Sequence, residues 1–338
     1  MDLKPFNKVL VANLGEIAIR IFRACKELGI RSVAIYSEED KYALFRTRSD
    51  ESYLIGKKKR PTEVYLGMEE IIDLALKKGV DAIHPGYGFL SENPEFAQKC
   101  RKAGLEFIGP SVETLQNLGD KIKSKLIAHS VGVPTIPGID KPINSVDEAI
   151  DFADKYGYPI ILKASAGGGG RGMRVAYNAD DLVNEFKNAK AEAKKAFGLD
   201  DIFLEKYLER PKHIEVQILA DKYGNILHLY ERDCSIQRRH QKILEFTPAF
   251  TIPQELRNRL YEDALKIAKA VNYVNAGTAE FLVDRNGNYY FIEMNPRIQV
   301  EHTITEMTTG IDIVQSQILI AEGYALDSPE IDLPSQDA

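Results

Sequence analysis

Tyr289-Tyr290-Phe291-Ile292-Glu293-Met294-Asn295-Pro296-Arg297-Ile298-Gln299-Val300-Glu301-His302 is the stretch on which the reading of this chain turns. Successive side chains of an extended strand point to opposite faces. The strict alternation therefore places Glu293, Asn295, Arg297, Gln299 and Glu301 on one face and Ile292, Met294, Ile298 and Val300 on the other. A row of acids, amides and a guanidinium reads as a row of ligands rather than a plain surface strand.

Just upstream, Arg285-Asn286-Gly287-Asn288 separates two apolar-rich runs. Asn-Gly in that setting predicts a hairpin closed by a two-residue type I′ turn. Such a turn sets residue 285 opposite 288, 284 opposite 289, and Glu280 directly opposite Glu293. Like charges at Cβ separations of about 4.5–5.5 Å repel, so the pair makes sense around a cation. Two carboxylates with the Asn295 carbonyl suit Mg²⁺, or Mn²⁺, as hard ions that take oxygen ligands and share phosphates with a substrate. Taken alone, the segment also fits a half-exposed hairpin with solvated acids.

The 338 residues, 44% hydrophobic and 28% charged, leave room for two or three domains and a large core. A net charge of −6 with one short basic run, Lys57-Lys58-Lys59-Arg60, argues against a nucleic-acid partner. Cys25, Cys100 and Cys234 are few, odd in number and without metal-ligand spacing, which fits free thiols in a reducing cytosol. No signal-peptide apolar region opens the chain and no run reaches the ~18 apolar residues of a membrane span. A cytoplasmic protein with no membrane partner is expected.

Residues 8–13, 32–36 and 81–84 read as strands, with helices over 16–28 and 64–78. This βαβ repetition predicts a doubly wound parallel sheet of α/β type. Ligands gather at the carboxyl ends of such strands, where Asn13-Leu14-Gly15-Glu16 and His84-Pro85-Gly86-Tyr87-Gly88 fall. A loop over 136–142 leads to a second unit: a helix over 145–156, a strand over 158–163, the glycine cluster, and a strand over 173–177. Gly167-x-Gly169-x-x-Gly172 mimics a dinucleotide fingerprint, but no helix follows it. It reads instead as a flap whose bare N–H groups close over phosphates, with Lys163 and Arg171 beside it; a mobile linker is the plainer alternative. A helix over 179–197 and a strand over 202–205 complete a small lid. Alternating runs at 213–218 and 225–232 then open an antiparallel sheet, of α+β type, that includes the hairpin. Residues 231–242 are too polar for a core and read as a loop for ribose, phosphate or an anionic substrate, or as a solvated charged loop.

Lys163-Ala164-Ser165-Ala166 with Gly167 to Met173, Pro211 to Gln217, Gln237 to Lys242 and Glu293 to His302 resemble the biotin carboxylase branch of the ATP-grasp enzymes. Val11-Ala12-Asn13 and Gly86-Tyr87-Gly88-Phe89-Leu90-Ser91-Glu92-Asn93 extend the likeness to nearly the whole chain. Within the branch, Asn295-Pro296-Arg297, Glu301 to Glu306 and Asp312 to Gln315 are most similar to the amino-terminal domain of the pyruvate carboxylases. Acyl-CoA and 2-oxoacid carboxylases stand close by. Carbamoyl-phosphate-type ATP-grasp ligases and a nucleotide-binding or assembly fragment without turnover are the alternatives.

The resemblance implies an ATP-grasp fold: an N-terminal domain over 1–118 and an ATP-grasp region over 119–338, with a lid at about 143–206 and a partial C-terminal sheet at about 207–338. It implies that MgATP phosphorylates bicarbonate and that the CO₂ passes to biotin on a carrier domain. Lys121, Lys163, Gly167, Gly168, Gly169, Gly170 and Gly172 would hold phosphates. Glu205, Lys206 and Leu208 would form the adenine hinge, with Leu282 also in the nucleotide site and His213, Gln237 and His240 on the ribose and phosphate side. Glu280, Glu293 and Asn295 would hold the metal; Arg297, Gln299 and the Val300 backbone, bicarbonate. Glu301 would be the general base, and Lys242 would stabilise the transferring group. Carrier and carboxyltransferase domains of the same full-length chain are the expected partners, with homo-oligomerisation through a face that includes Arg20, Arg23 and Glu27. Two departures follow: Leu14 stands where the family has arginine, and the chain stops at Ala338, so that alone it is expected to be a fragment that binds nucleotide weakly or not at all and does not carboxylate free biotin at an appreciable rate.

Overall fold

The computed structural model describes residues 3–164, 173–197, 201–238 and 241–331. Gly167, Gly168, Gly169, Gly170, Arg171, Gly172 and His240 lie outside the described residues, as does the Lys121 side chain.

The first unit is a five-stranded parallel sheet in the order Glu51–Leu54, Arg31–Tyr36, Lys8–Val11, Ala82–His84, Glu106–Phe107. The order reverses between Lys8–Val11 and Ala82–His84, and this switch point is where both expected loops meet. Asn13 Nδ2 donates to Pro85 O at 2.8 Å and to Tyr87 O at 2.7 Å. Gly86 adopts φ +64°, and a Cβ there would come within 2.8 Å of that amide. Two strands escaped the sequence reading: Glu51–Leu54 is half-buried throughout and Glu106–Phe107 is only two residues long. The helix expected over 64–78 is divided at Gly67 into Pro61–Tyr65 and Met68–Lys77.

The lid is a four-stranded antiparallel sheet in the order Gly138–Ile143, Ile202–Lys206, Ile160–Ala164, Met173–Ala176. Its helices are Val146–Tyr156, capped by the Ser145 hydroxyl, and Ala179–Phe197. Residues 138–143, expected as loop, form an edge strand. Edge position and an irregular register between Ile139 and Ile143 accommodate Pro142, whose lack of an N–H disfavours a central strand.

The third sheet is antiparallel: Gln241–Phe246, Ile226–Arg238, Lys212–Ala220, Asn275–Val283, Tyr289–Asn295. Leu256, Leu260 and Ile267 of helix Gln254–Ala270 share a core with Ile214, Val216 and Ile218. Helices His302–Thr309 and Ile313–Glu322 join this sheet to the first unit, where Ile313, Val314 and Ile318 share a core with Ile17 and Ile21. Among the described residues no helix is long and apolar enough to cross a membrane.

Three expectations for this sheet are corrected. The turn is longer than two residues: Asp284 N donates to Asn288 O, and Gly287 sits at φ +82°, as in a three-residue loop. Pairing therefore begins at Val283↔Tyr289, one step off, and a bulge at 292 restores Glu280↔Glu293. Secondly, the strand ends at Asn295, so Arg297, Gln299 and Glu301 follow in a loop and not on a strand face; Ile292, displaced by the bulge, lines the cleft, as does Val300. Thirdly, residues 231–242 are mostly strand. Glu231, Arg232, Asp233 and Cys234 are fully buried; Glu231 is paired with Tyr261, Arg257 and the Ala249 N–H, Asp233 with Ser235 and Thr251, and Arg232 with Glu215 and Gln217 among others.

Candidate active site

A cleft of about 1060 Å³ opens between the lid and the third sheet. Every site residue singled out from the sequence whose side chain is described lines it: Lys163, Glu205, Lys206, Leu208, His213, Gln237, Lys242, Glu280, Leu282, Glu293, Asn295, Arg297, Gln299, Val300 and Glu301.

The floor is built from one row across four strands, in which Arg232 pairs with Glu215, Glu215 with Glu280, and Glu280 with Glu293. Three acids side by side would repel. Cations inserted from above and at the end of the row offset them. Lys242 Nζ donates to Glu215, to Glu280 at 3.2 Å and to Glu301 at 2.7 Å. The Arg232 guanidinium reaches Glu215 Oε2 from Nε at 3.3 Å and from an Nη at 3.2 Å. His213 Nε2 lies 2.9 Å from Glu280, and its Nδ1 is 3.1 Å from the Gln237 amide.

Burial alone would raise the Glu280 carboxyl, but His213 and Lys242 outweigh it and hold the group well below the usual carboxylate range. Glu301 follows the same pattern: burial opposes ionisation, Lys242 with a backbone hydrogen bond and Arg232 favours it, and the net shift is downward. The site thus presents ionised carboxylates at neutral pH.

Asn295 ties the floor to the loop. Its Nδ2 donates to Glu280 Oε1 at 2.7 Å, and its Oδ1 accepts from Arg297 at 3.0 Å. Arg297 Nε also donates to Glu92 of the first unit at 2.7 Å. Gln299 Nε2 donates to Glu280 at 3.0 Å. The oxygen-rich donor set of Glu280 and Glu293, facing each other across the ladder, fits a hard divalent cation. Asn295 turns its amide nitrogen to Glu280 and its oxygen to Arg297 beside them.

On the lid side, Glu205 accepts from Lys163 and, at 2.6 Å, from Lys125. Burial works against its ionisation, yet the two lysines pull its carboxyl below the ordinary value. Lys206 turns its ammonium away, onto Gly157 O at 3.0 Å and Tyr158 O at 2.7 Å. Lys125, Glu215 and Arg232 were missed from the sequence. Lys125 lies one turn beyond Lys121 on helix Lys121–Ser130, a spacing that could have flagged it; Glu215 could have been found by pairing its strand with Glu280.

Arg20, expected at an oligomer face, is committed within the chain, 2.9 Å from Glu306 and 2.6 Å from Asp312. Glu27 accepts from Gln315 at 2.6 Å.

The chain matches two family models: carbamoyl-phosphate synthase L chain, ATP binding domain, over residues 120–329, and biotin carboxylase, N-terminal domain, over residues 5–115. It is 56% identical over 337 residues to the mitochondrial pyruvate carboxylase of Homo sapiens, covering 100% of this chain and 28% of that protein. With pyruvate carboxylase of Bacillus subtilis (strain 168) it is 55% identical over 336 residues, covering 99% of this chain and 29% of that protein. The chain thus spans under a third of the curated relatives it matches. A solved biotin carboxylase domain of 2-oxoglutarate carboxylase from Hydrogenobacter thermophilus, in complex with MgADP, ADP and bicarbonate, superposes with a TM-score of 0.85 at 53% identity, over 98% of this chain and 73% of that one.

Proposed function

Because the chain belongs to the biotin carboxylase family of ATP-grasp ligases, we propose that it uses MgATP and bicarbonate to carboxylate biotin on a carrier domain, as the biotin-carboxylating part of a pyruvate carboxylase. The observation that carries this reading is the Lys242 ammonium, shared by Glu215, Glu280 and Glu301 beside Arg297 and Gln299. Cations and ionised acids converge there within one cleft, as an anion-handling ligase requires.

In this reading the nucleotide lies along the lid, with Lys163 turned from Glu205 to phosphate and Leu208 and Leu282 on the base side. Arg297 and the Gln299 amide hold bicarbonate. A bicarbonate oxygen attacks the γ-phosphorus as its bond to the ADP oxygen breaks, giving carboxyphosphate and ADP. Glu301, ionised and hydrogen-bonded to Lys242, accepts the bicarbonate proton, and carboxyphosphate then releases CO₂ and phosphate. Lys242 stabilises the charge that develops on the transferring group. Phosphoryl transfer gains most from such positioning and charge compensation. A magnesium ion held by Glu280 and Glu293 would draw charge from the phosphate oxygens.

The first parallel unit, the lid and the third sheet act as the three working parts, over 1–118, about 143–206 and about 207–338, the last two within an ATP-grasp region over 119–338. Identity near 55% over essentially the whole chain supports pyruvate as the final acceptor, with carrier and carboxyltransferase domains as partners in a homo-oligomer. Three free, buried cysteines support a reducing compartment, the cytoplasm.

The test is ADP release from MgATP with and without bicarbonate, alongside calorimetric MgATP binding. Saturable, bicarbonate-dependent release supports the reading. Release indifferent to bicarbonate, or no MgATP binding, by a chain extended to the length of the biotin carboxylase domain it matches overturns it.

A further inference from the structure

Arg232 touches no cleft surface, yet it closes a ring of side chains beneath the site. Its guanidinium is fully buried. One Nη donates to Gln299 Oε1 at 2.8 Å and to Thr278 Oγ1 at 3.2 Å; the other donates to Gln217 Oε1 at 2.8 Å and Thr305 Oγ1 at 3.0 Å. Glu215 accepts from Arg232 through one oxygen and from Lys242 through the other. Lys242 donates to Glu280, and Glu280 accepts from Gln299, which returns to Arg232.

The ring fixes a polarity. An arginine side chain has five N–H donors and no acceptor. Only the oxygen of Gln299 can face Arg232, so its NH₂ must face Glu280 and the cleft. A free glutamine could present either end; an anion is held only by the donor end.

We propose that Arg232 is a positioning residue that sets Gln299 as a hydrogen-bond donor for the bicarbonate-class anion and, through Glu215, aims the Lys242 ammonium. This rests on the reading of the cleft as a bicarbonate site. The fork matters more than the charge. A lysine at 232 keeps a cation beside Glu215 but cannot span strands Lys212–Ala220 and Asn275–Val283, the Gln299 loop and helix His302–Thr309 at once.

The test compares wild type, Arg232→Lys and Gln299→Glu, each in a chain extended to the length of the matched biotin carboxylase domain, by bicarbonate-dependent ADP release. Arg232→Lys is expected to raise the KM for bicarbonate about tenfold or more, one lost charge-assisted bond, while the KM for MgATP stays within about twofold. Gln299→Glu still accepts from Arg232 but cannot donate, so it should show the same split even if Arg232→Lys does not fold. A wild-type bicarbonate KM in either folded variant, or equal losses for both substrates, overturns the proposal. If wild type itself shows no bicarbonate dependence, the carboxylase reading fails. Arg232 is then judged by the Gln299 side-chain amide in a ¹⁵N–¹H spectrum: slow exchange lost in Arg232→Lys supports the positioning role, and unchanged exchange overturns it.

Discussion

Lys242 Nζ donates to Glu301 at 2.7 Å, joining the strand Gln241–Phe246 to the residue that opens helix His302–Thr309. Burial disfavours the Glu301 carboxylate, and Lys242, helped by a backbone hydrogen bond and Arg232, outweighs it, so the group titrates below its ordinary value. A depressed folded pKa contributes stability that is complete above the unfolded value, about 4.3, and is lost as pH falls through the folded one. Lys242→Met removes the main compensation and leaves burial opposed only by a backbone hydrogen bond and by Arg232. The acid limb of bicarbonate-dependent ADP release should then move to higher pH by about 1–3 units. A pH–rate profile checks this, and an unmoved limb would argue against Glu301 as the base.

Lys163 pairs with Glu205, but Glu205 keeps Lys125 if Lys163 is removed. Lys163→Ala should therefore leave the melting temperature nearly unchanged, since partly exposed ion pairs contribute little. It should weaken MgATP binding by about 1.5–3 kcal/mol, on the order of ten- to hundredfold in Kd, through loss of a charged phosphate contact. Calorimetric titration of both proteins decides; equal affinities would remove Lys163 from the phosphate site.

The parallel sheet, the lid and the antiparallel sheet were legible because β-branched runs and period-two alternation survive in single segments. Glu280 opposite Glu293 was reached by two departures that cancel: a longer turn at Gly287 and a bulge at 292 each shift the register by one. Neither leaves a mark in the pattern of apolar residues. Arg232 was hidden for a different reason. A run of charges reads as surface unless the partners that satisfy it are known, and Gln217, Thr278, Gln299 and Thr305 come from distant parts of the chain. Lys125 shares a helix face with Lys121 one turn away, but its partner Glu205 is brought to it by the distant lid strand Ile202–Lys206.

Arg20 holds helix Gly15–Glu27 to the third unit through Glu306 and Asp312, and Glu306 in turn accepts from the Ile313 backbone at 2.8 Å. Breaking a largely buried pair leaves uncompensated charge, so Arg20→Ala should cost about 3 kcal/mol in stability. Arg23, exposed and 3.7 Å from Glu27, should tolerate the same change within about 0.5 kcal/mol. Urea denaturation of the two variants provides the comparison. Equal stabilities would mean that the Arg20 pairs do not hold the units together.

Glu280 and Glu293 stand opposite each other, which on sequence grounds alone predicts that a glutamine at either position would relieve repulsion. The surroundings of Glu280 reverse that sign. It receives Lys242, Asn295 and Gln299 as donors and lies 2.9 Å from His213 Nε2. A glutamine there turns one oxygen into an NH₂ among these donors and removes the anion that faces the Lys242 ammonium. Glu280→Gln should therefore destabilise the ligand-free protein by about 2 kcal/mol at neutral pH. The deficit should shrink as pH falls through the depressed Glu280 value, where the wild-type carboxyl also becomes neutral. Both Glu280→Gln and Glu293→Gln should lose most of the gain in ATP affinity that magnesium confers, because each removes a charged oxygen ligand from the pair. ATP titrations with magnesium and with a chelator, run beside urea melts at two pH values, separate the effects. A Glu280→Gln protein more stable than wild type would restore the repulsion argument, and an undiminished magnesium gain in both variants would place the metal elsewhere in the cleft.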